Sequence, residues 1–135
     1  MTEFSREWLN RAEDNLSSAG FLLNKWPVPM EIICFLCQQC AEMSLKGVLA
    51  EYDIEPPKTH NLERLCDMCS NLDGRFAEWN EICKRLAPYA SSSRYPNGPE
   101  VTKEKMNYAL EKSRQIFNFV QSVLEEGAIE GPEDA

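Results

Sequence analysis

The stretch PMEIICFLCQQCAEMSLKGVLAEY, residues 29–52, decides the fold because it is apolar almost all round between Ile32 and Cys37. Its opening proline, Pro29, suits the first position of a helix. A helix that is apolar all round must be covered on more than one side, by its own bundle or by another subunit. We therefore predict a central helix over about residues 29–52.

Four further segments repeat apolar residues at the three- and four-residue steps of an amphipathic helix. The chain therefore predicts an all-α, up-and-down bundle of about five helices, with no repeated unit. The four apolar stripes are Trp8, Leu9, Ala12, Leu16, Ala19, Leu22, Leu23 and Trp26; Leu62, Leu65, Cys66, Cys69 and Leu72; Phe76, Trp79, Ile82, Cys83 and Leu86; and Met106, Ala109, Leu110, Ser113, Ile116, Phe117, Val120 and Leu124.

Prolines, glycines and capping residues predict where these helices begin and end. The signals are Pro27 and Pro29 after the first helix, Thr59 or Asn61 before the third, Pro88 after the fourth, and Thr102 and Gly127 around the last. They give one domain over residues 1–126, followed by a frayed acidic tail over 127–135.

The charge is unevenly distributed along the chain. The 22 acidic and 14 basic residues give a net charge of −8, but residues 125–135 hold five acidic residues and no basic one. Residues 84–105 reverse the sign, with five basic side chains against two acidic ones. The average acidity argues against broad binding of nucleic acid, whereas the local reversal fits either an anion site or a solvated basic face.

The N-terminal residues and the length of the apolar runs bear on location. No apolar run approaches the ~20 residues that are needed to cross a bilayer. The N-terminus, MTEFSREWLN, is charged and lacks the apolar stretch of a signal peptide. We expect a cytoplasmic protein without membrane contact.

Five of the six cysteines fall at C-x-x-C spacings, which zinc sites also use. Cys34, Cys37 and Cys40 lie on the apolar stripe of the predicted second helix, and Cys66 and Cys69 lie on that of the third. Zinc pairs sit on tight turns instead. Buried thiols that act as small hydrophobic groups are the favoured interpretation, with a metal site or disulfides as the alternatives.

Few side chains suit a catalytic centre. His60 is the sole histidine, which excludes a histidine-rich metal site and any catalytic triad that does not use it. No phosphate-binding loop of the G-x-x-x-x-G-K type occurs. We therefore expect no catalytic residue, metal or cofactor, although the question of enzymatic activity stays open.

Two places carry side chains that suit a ligand. The loop SSSRYP, residues 91–96, combines hydroxyls with Arg94, which can bind phosphate, and Tyr95, which can stack on a base. Its alternative role is a surface loop in which Tyr95 plugs the bundle and Arg94 pairs with a carboxylate.

The second place is the polar part of the second helix and the loop after it. Glu42 and Lys46 are spaced for a helix-stabilising ion pair, or for a polar pair that faces a groove. His60, two residues after Lys58, is most simply a side chain that bonds to loop backbone, with a ligand role as the alternative.

In their order and spacing these pieces resemble the HEPN family, the higher eukaryotes and prokaryotes nucleotide-binding domain. The resemblance runs over roughly residues 5–125, through CQQCAEMSLKGVL at 37–49 and PKTHNL at 57–62 to RYP at 94–96. It implies an all-α bundle that usually dimerises and is often encoded beside a minimal nucleotidyltransferase, in toxin–antitoxin or defence modules.

The same resemblance implies that some relatives are metal-independent ribonucleases, which use an arginine and a following histidine with four to six residues between them. The required positions after Arg94 hold Pro99, Glu100 and Val101, so this chain lacks the motif.

We predict a non-catalytic module that binds a nucleotide or RNA phosphate, a nucleotidyltransferase partner, or both. The alternatives are a diverged ribonuclease, with His60 facing Arg94 across a homodimer, and a helical adaptor that binds protein through its apolar second helix. The predicted ligand-binding residues are Arg94, Tyr95, Lys46, Glu42, His60 and Lys58.

Overall fold

The computed structural model describes residues 1–91, 96, 98 and 100–134, and the side chains as far as residue 126. This part of the chain is all-α, as predicted, and contains no strand. Its five α-helices are α1 (Glu3–Leu22), α2 (Met30–Glu51), α3 (Leu62–Leu72), α4 (Asn80–Leu86) and α5 (Lys103–Asp134), with 3₁₀ turns at Gly74–Trp79 and Ala87–Ala90.

The α2 helix is the centre of the bundle. It packs against α1, α3 and α5, and against the 3₁₀ turn Ala87–Ala90. From Ser44 to Leu49 six consecutive residues are buried, so this part of the helix is covered on every side. The stretch from Ile32 to Cys37, which the sequence left to either the bundle or another subunit, is covered only in part, because Ile33, Cys34 and Cys37 are buried while Ile32 is 49% exposed.

The α2 helix is long and apolar enough to cross a bilayer, by length and composition alone, so the expectation that no apolar run approaches that length is wrong. However, 72% of its most apolar window is buried inside the bundle. A core helix that is enclosed by other helices has the same composition as a membrane span. Its burial therefore makes α2 the core helix of this bundle.

Two of the predicted helices differ from the structure in their extent. The α1 helix ends at Leu22, five residues before Pro27, and Trp26 is 88% exposed although we placed it on the apolar stripe. The fourth helix is divided into a 3₁₀ turn, α4 and a second 3₁₀ turn. Asp73 caps the first of these turns by accepting a hydrogen bond from the N–H of Arg75, which favours a tight start.

The last helix is longer than the sequence predicts. We expected it to stop at Gly127, but α5 continues to Asp134. A glycine in a helix interior costs only about 1 kcal/mol relative to alanine, and it ends a helix chiefly where the chain turns into the left-handed region. The predicted N-cap of α5 is confirmed, because Thr102 Oγ1 accepts a hydrogen bond from the N–H of Lys105 at 3.2 Å.

All six cysteines are buried free thiols, which confirms their predicted place in the core. Burial raises the pKa of Cys34 to about 12, of Cys37 to about 11 and of Cys40 to about 12. Among the described residues no group of histidine, cysteine or acidic side chains has an arrangement that could bind a metal ion. The C-x-x-C spacing on α2 therefore reflects the three-residue step that places side chains on one face of a helix.

We expect Cys34, Cys37 and Cys40 to react with iodoacetamide in the native protein at least ~100-fold more slowly than in the denatured chain. The raised pKa alone lowers the thiolate fraction by about that factor, and burial slows access further. Alkylation at neutral pH followed by peptide mass spectrometry measures each site. Equal rates in buffer and in guanidinium chloride would contradict the burial of these thiols.

Candidate functional site

A buried carboxylate on α2 organises the polar residues that the sequence singled out. The side chain of Glu42 is 1% exposed, and each of its two oxygens has a cationic or titratable partner. Its Oε2 is 3.1 Å from Lys46 Nζ, and its Oε1 is 2.9 Å from His60 Nδ1. A buried carboxylate is costly unless it is paired, so these contacts offset the cost of burying it in the core.

Two glutamines on the same helix complete the contacts of this carboxylate. Gln38 Nε2 donates to Glu42 Oε1 at 3.2 Å and to the backbone oxygen of His60 at 3.4 Å. Gln39 Nε2 donates to Gln38 Oε1 at 2.7 Å and to Glu42 Oε1 at 3.4 Å. Residues three and four apart lie on the same helix face, which is why α2 can supply both amides. We call Gln38, Gln39, Glu42, Lys46 and His60 the Glu42 cluster.

Lys46 is enclosed within this cluster. It is 6% exposed, and its ammonium group lies 5.7 Å from the centre of the Trp8 ring on α1. The aromatic face and the Glu42 carboxylate together compensate for the loss of water around the ammonium group. The predicted ion pair between Glu42 and Lys46 is therefore present, and it faces the interior of the bundle.

His60 is the exposed member of the cluster, with 72% of its side chain accessible to solvent. The following residue, Asn61, caps α3 by accepting a hydrogen bond from the N–H of Arg64 at 3.2 Å, which fixes the backbone beside the ring. We expected the ring to bond to loop backbone, but Nδ1 contacts the Glu42 carboxylate instead. Because Nδ1 is engaged, Nε2 is the ring nitrogen that remains for a ligand.

The other predicted site residues are placed as follows. Lys58 is exposed on the same loop, two residues before His60. Arg94 and Tyr95 lie outside the described residues, so their predicted proximity to α2 stays a prediction. The structure brings together three of the six predicted residues, namely Glu42, Lys46 and His60.

Sequence reasoning missed three residues of this environment, namely Gln38, Gln39 and Trp8. The two glutamines stand four and three residues before Glu42, and that spacing was a usable signal for a shared helix face. Trp8 was assigned only to the apolar stripe of α1, because nothing in its sequence context indicates that a buried lysine lies under its ring. Contacts between helices have no local sequence signature.

One family model and two solved structures, described next, match most of this chain. A family model, the HEPN domain, matches residues 5–123. The chain is 26% identical to TT1696 from Thermus thermophilus, over 90% of this chain and 98% of that chain, with a TM-score of 0.76. It is 25% identical to ST0689, described as an archaeal HEPN homologue, over 91% of this chain and 99% of that chain, with a TM-score of 0.69. A search of the curated proteins found no match. The match to the family model over most of its length shows that the chain belongs to the HEPN domain family.

Proposed function

We propose that this HEPN chain is a non-catalytic module that binds a phosphate group of a nucleotide or of RNA, with His60 in contact with the ligand. The observation that carries the proposal is the position of His60. A buried carboxylate contacts Nδ1 at 2.9 Å while most of the ring is exposed, so Nε2 is presented to solvent in a fixed orientation. A protonated imidazole donates from Nε2 to a phosphate oxygen, and a neutral one accepts from a ribose hydroxyl.

The six predicted residues have different roles in this proposal. Glu42 and Lys46 orient His60 from within the bundle, because neither is accessible enough to bind a ligand directly. Lys58 supplies an exposed positive charge on the same loop. Arg94 and Tyr95 add a bidentate phosphate contact and a stacking surface, as the sequence predicts.

Replacing His60 with alanine is expected to weaken the binding of a nucleoside triphosphate or a short RNA by about 1–3 kcal/mol, the size of a hydrogen bond to a charged group. Titration calorimetry at low salt measures the loss. The His60→Asn variant retains a donor near the Nδ1 position and lacks one near Nε2, so it should lose a similar amount of affinity.

Lys58→Ala and Arg94→Ala should each weaken binding, and Lys25→Ala is the matched control, because Lys25 is an exposed lysine in the α1–α2 connection. Identical affinities for the wild type and for the His60, Lys58 and Arg94 variants would overturn the proposal.

The contact between Glu42 and His60 also favours a second candidate, a diverged ribonuclease. A carboxylate that orients a histidine is the arrangement of a general acid–base catalyst. On this hypothesis the purified protein cleaves RNA without a metal, and His60→Ala abolishes the cleavage. Cleavage that survives this substitution would exclude His60 as the base.

We further propose that the protein forms a homodimer or binds a minimal nucleotidyltransferase. Three large aromatic residues on or just after α1 are exposed, namely Phe4 at 72%, Phe21 at 74% and Trp26 at 88%, and they offer a partner apolar side chains to cover. Most of α2 is buried within the bundle, which leaves Ile32, at 49% exposed, as the exposed large apolar residue of that helix. Sedimentation tests the dimer, and a monomer at micromolar concentration would contradict it.

A further inference from the structure

Two cationic side chains lie beside the aromatic ring of Tyr108, and none of these three residues belongs to the Glu42 cluster. Tyr108 is a partly exposed residue of α5. The guanidinium carbon of Arg85, at the end of α4, lies 3.7 Å from the centre of its ring, and Lys112 Nζ lies 5.7 Å from the same point. We call Arg85, Tyr108 and Lys112 the Tyr108 cluster.

The charges of this cluster are not neutralised within the described part of the chain. Neither Arg85 nor Lys112 forms an ion pair with a described carboxylate, and the ammonium group of Lys112 donates only to the amide oxygen of Gln115, at 3.4 Å. Because the chain has eight more acidic than basic residues, two neighbouring cations without acidic partners are notable.

Arg75 provides the comparison. It also lies over an aromatic ring, 5.9 Å from the centre of Phe119, but its guanidinium contacts Asp73 at 2.8 Å and Glu126 at 3.0 Å. The same chain therefore contains one ring-associated arginine that is paired internally and another that is not. The second is available to an external anion.

The stacking geometry prepares Arg85 for such an anion. A guanidinium group 3.7 Å from a ring centre covers the ring with its face, so its N–H groups point outward along its edges. The ring restricts the side chain, which reduces the entropy lost when a ligand binds. Lys112, one helical turn after Tyr108, adds a second charge beside the first, and a phosphate relieves the repulsion between the two.

We infer that the Tyr108 cluster binds the phosphate backbone of single-stranded RNA. This inference rests on the proposed function, and it selects between the two ligand classes named there. The two neighbouring cations of the cluster suit the repeated phosphates of an RNA strand, and the planar fork of Arg85 matches the geometry of a phosphate group. The sequence indicated a cationic region over residues 84–105, and the structure selects Arg85 from it and adds Tyr108 and Lys112.

The test is fluorescence anisotropy with labelled single-stranded RNA of increasing length, measured over a range of salt concentrations. For single strands the logarithm of the affinity falls with the logarithm of the salt concentration by about 0.7 per phosphate contact. Arg85→Ala and Lys112→Ala should each reduce this slope by about 0.7 and weaken RNA binding about tenfold. Arg75→Ala, the matched control, should leave both quantities unchanged.

Variants of the ring separate stacking from charge. Tyr108→Phe keeps the ring and should bind RNA as the wild type does, whereas Tyr108→Leu removes the ring and should weaken binding. Arg85→Lys keeps the charge and loses the planar fork, so it should retain the salt slope but not the full affinity. A thermal melt of each variant confirms that the bundle remains folded.

The outcomes separate this inference from the proposed function. Loss of RNA affinity in Arg85→Ala, with unchanged binding of a nucleoside triphosphate, supports the inference whether or not His60→Ala has an effect. Equal RNA affinities for Arg85→Ala and the wild type overturn it, and so does an equal loss in Arg85→Ala and Arg75→Ala. Binding of an acidic peptide in place of RNA at the cluster also overturns the assignment to RNA.

Discussion

Replacing Glu42 with leucine is expected to lower the free energy of unfolding by about 3–5 kcal/mol, the usual cost of removing one partner from a buried ion pair. Leucine is close to glutamate in volume, so the loss reports the charge that is left behind and not a cavity. Lys46 would remain 6% exposed in the folded state with Trp8 as its one described electrostatic partner. Denaturation with urea, followed by circular dichroism, measures the change.

The double variant Glu42→Leu with Lys46→Met is the control for this prediction. It removes both charges and keeps an apolar side chain of similar length at each position. We expect it to recover most of the stability lost in the single variant, because replacing a buried ion pair with apolar residues is often close to neutral. A single variant that unfolds at the same urea concentration as the wild type would show that the ammonium group of Lys46 reaches water without Glu42.

The double variant also separates stability from ligand binding. Without Glu42 the ring of His60 loses the partner of Nδ1, although the residue stays exposed and can bind water. If the proposed function is correct, the double variant is stable and nevertheless binds the nucleotide as weakly as His60→Ala does. Stability and affinity thus respond differently to the same pair of substitutions.

The parts of the fold that follow from local periodicity could be predicted from the sequence. The buried face of α5 is predicted because its apolar residues recur at the helical step, and α2 is predicted because it is a long apolar run that opens with Pro29. The exposure of Trp26 could not be predicted, because its spacing continues the stripe of α1 while the helix itself ends at Leu22. An apolar stripe predicts which face of a helix is buried, but it does not predict the residue at which the helix ends.

The contacts of the candidate site likewise include one that is local in the sequence and could be predicted, and others that join distant residues and could not. The pair of Glu42 and Lys46 is local to one helix, and its four-residue spacing was sufficient to predict it. The contact between Glu42 and His60 joins residues 18 positions apart, and it depends on how the 52–61 connection returns to α2. The stacking of Arg85 on Tyr108 joins α4 to α5 and depends on how those helices pack. Both contacts required the tertiary structure.

The α1 helix passes close to Gly47 of α2, and replacement of this glycine with leucine is expected to cost about 2–3 kcal/mol through overpacking. A Cβ atom at this position would lie 3.4 Å from side-chain atoms of both Trp8 and Leu9, and 3.5 Å from the backbone oxygen of Ser5. Those distances are ordinary van der Waals contacts, so alanine fits and also gains about 1 kcal/mol of helix propensity.

The further carbons of leucine at position 47 meet the backbone of α1, which cannot rotate away as a side chain can, so α1 must move. Displacing α1 removes the Trp8 ring from Lys46, and the Lys46 ammonium group should then react with an amine-directed reagent in Gly47→Leu but not in Gly47→Ala. Urea denaturation and peptide mass spectrometry of the labelled protein measure the two effects. If the leucine variant were as stable as the alanine variant, the close approach of α1 to α2 at Gly47 would not be a constraint on the fold, and the enclosure of Lys46 would need another cause.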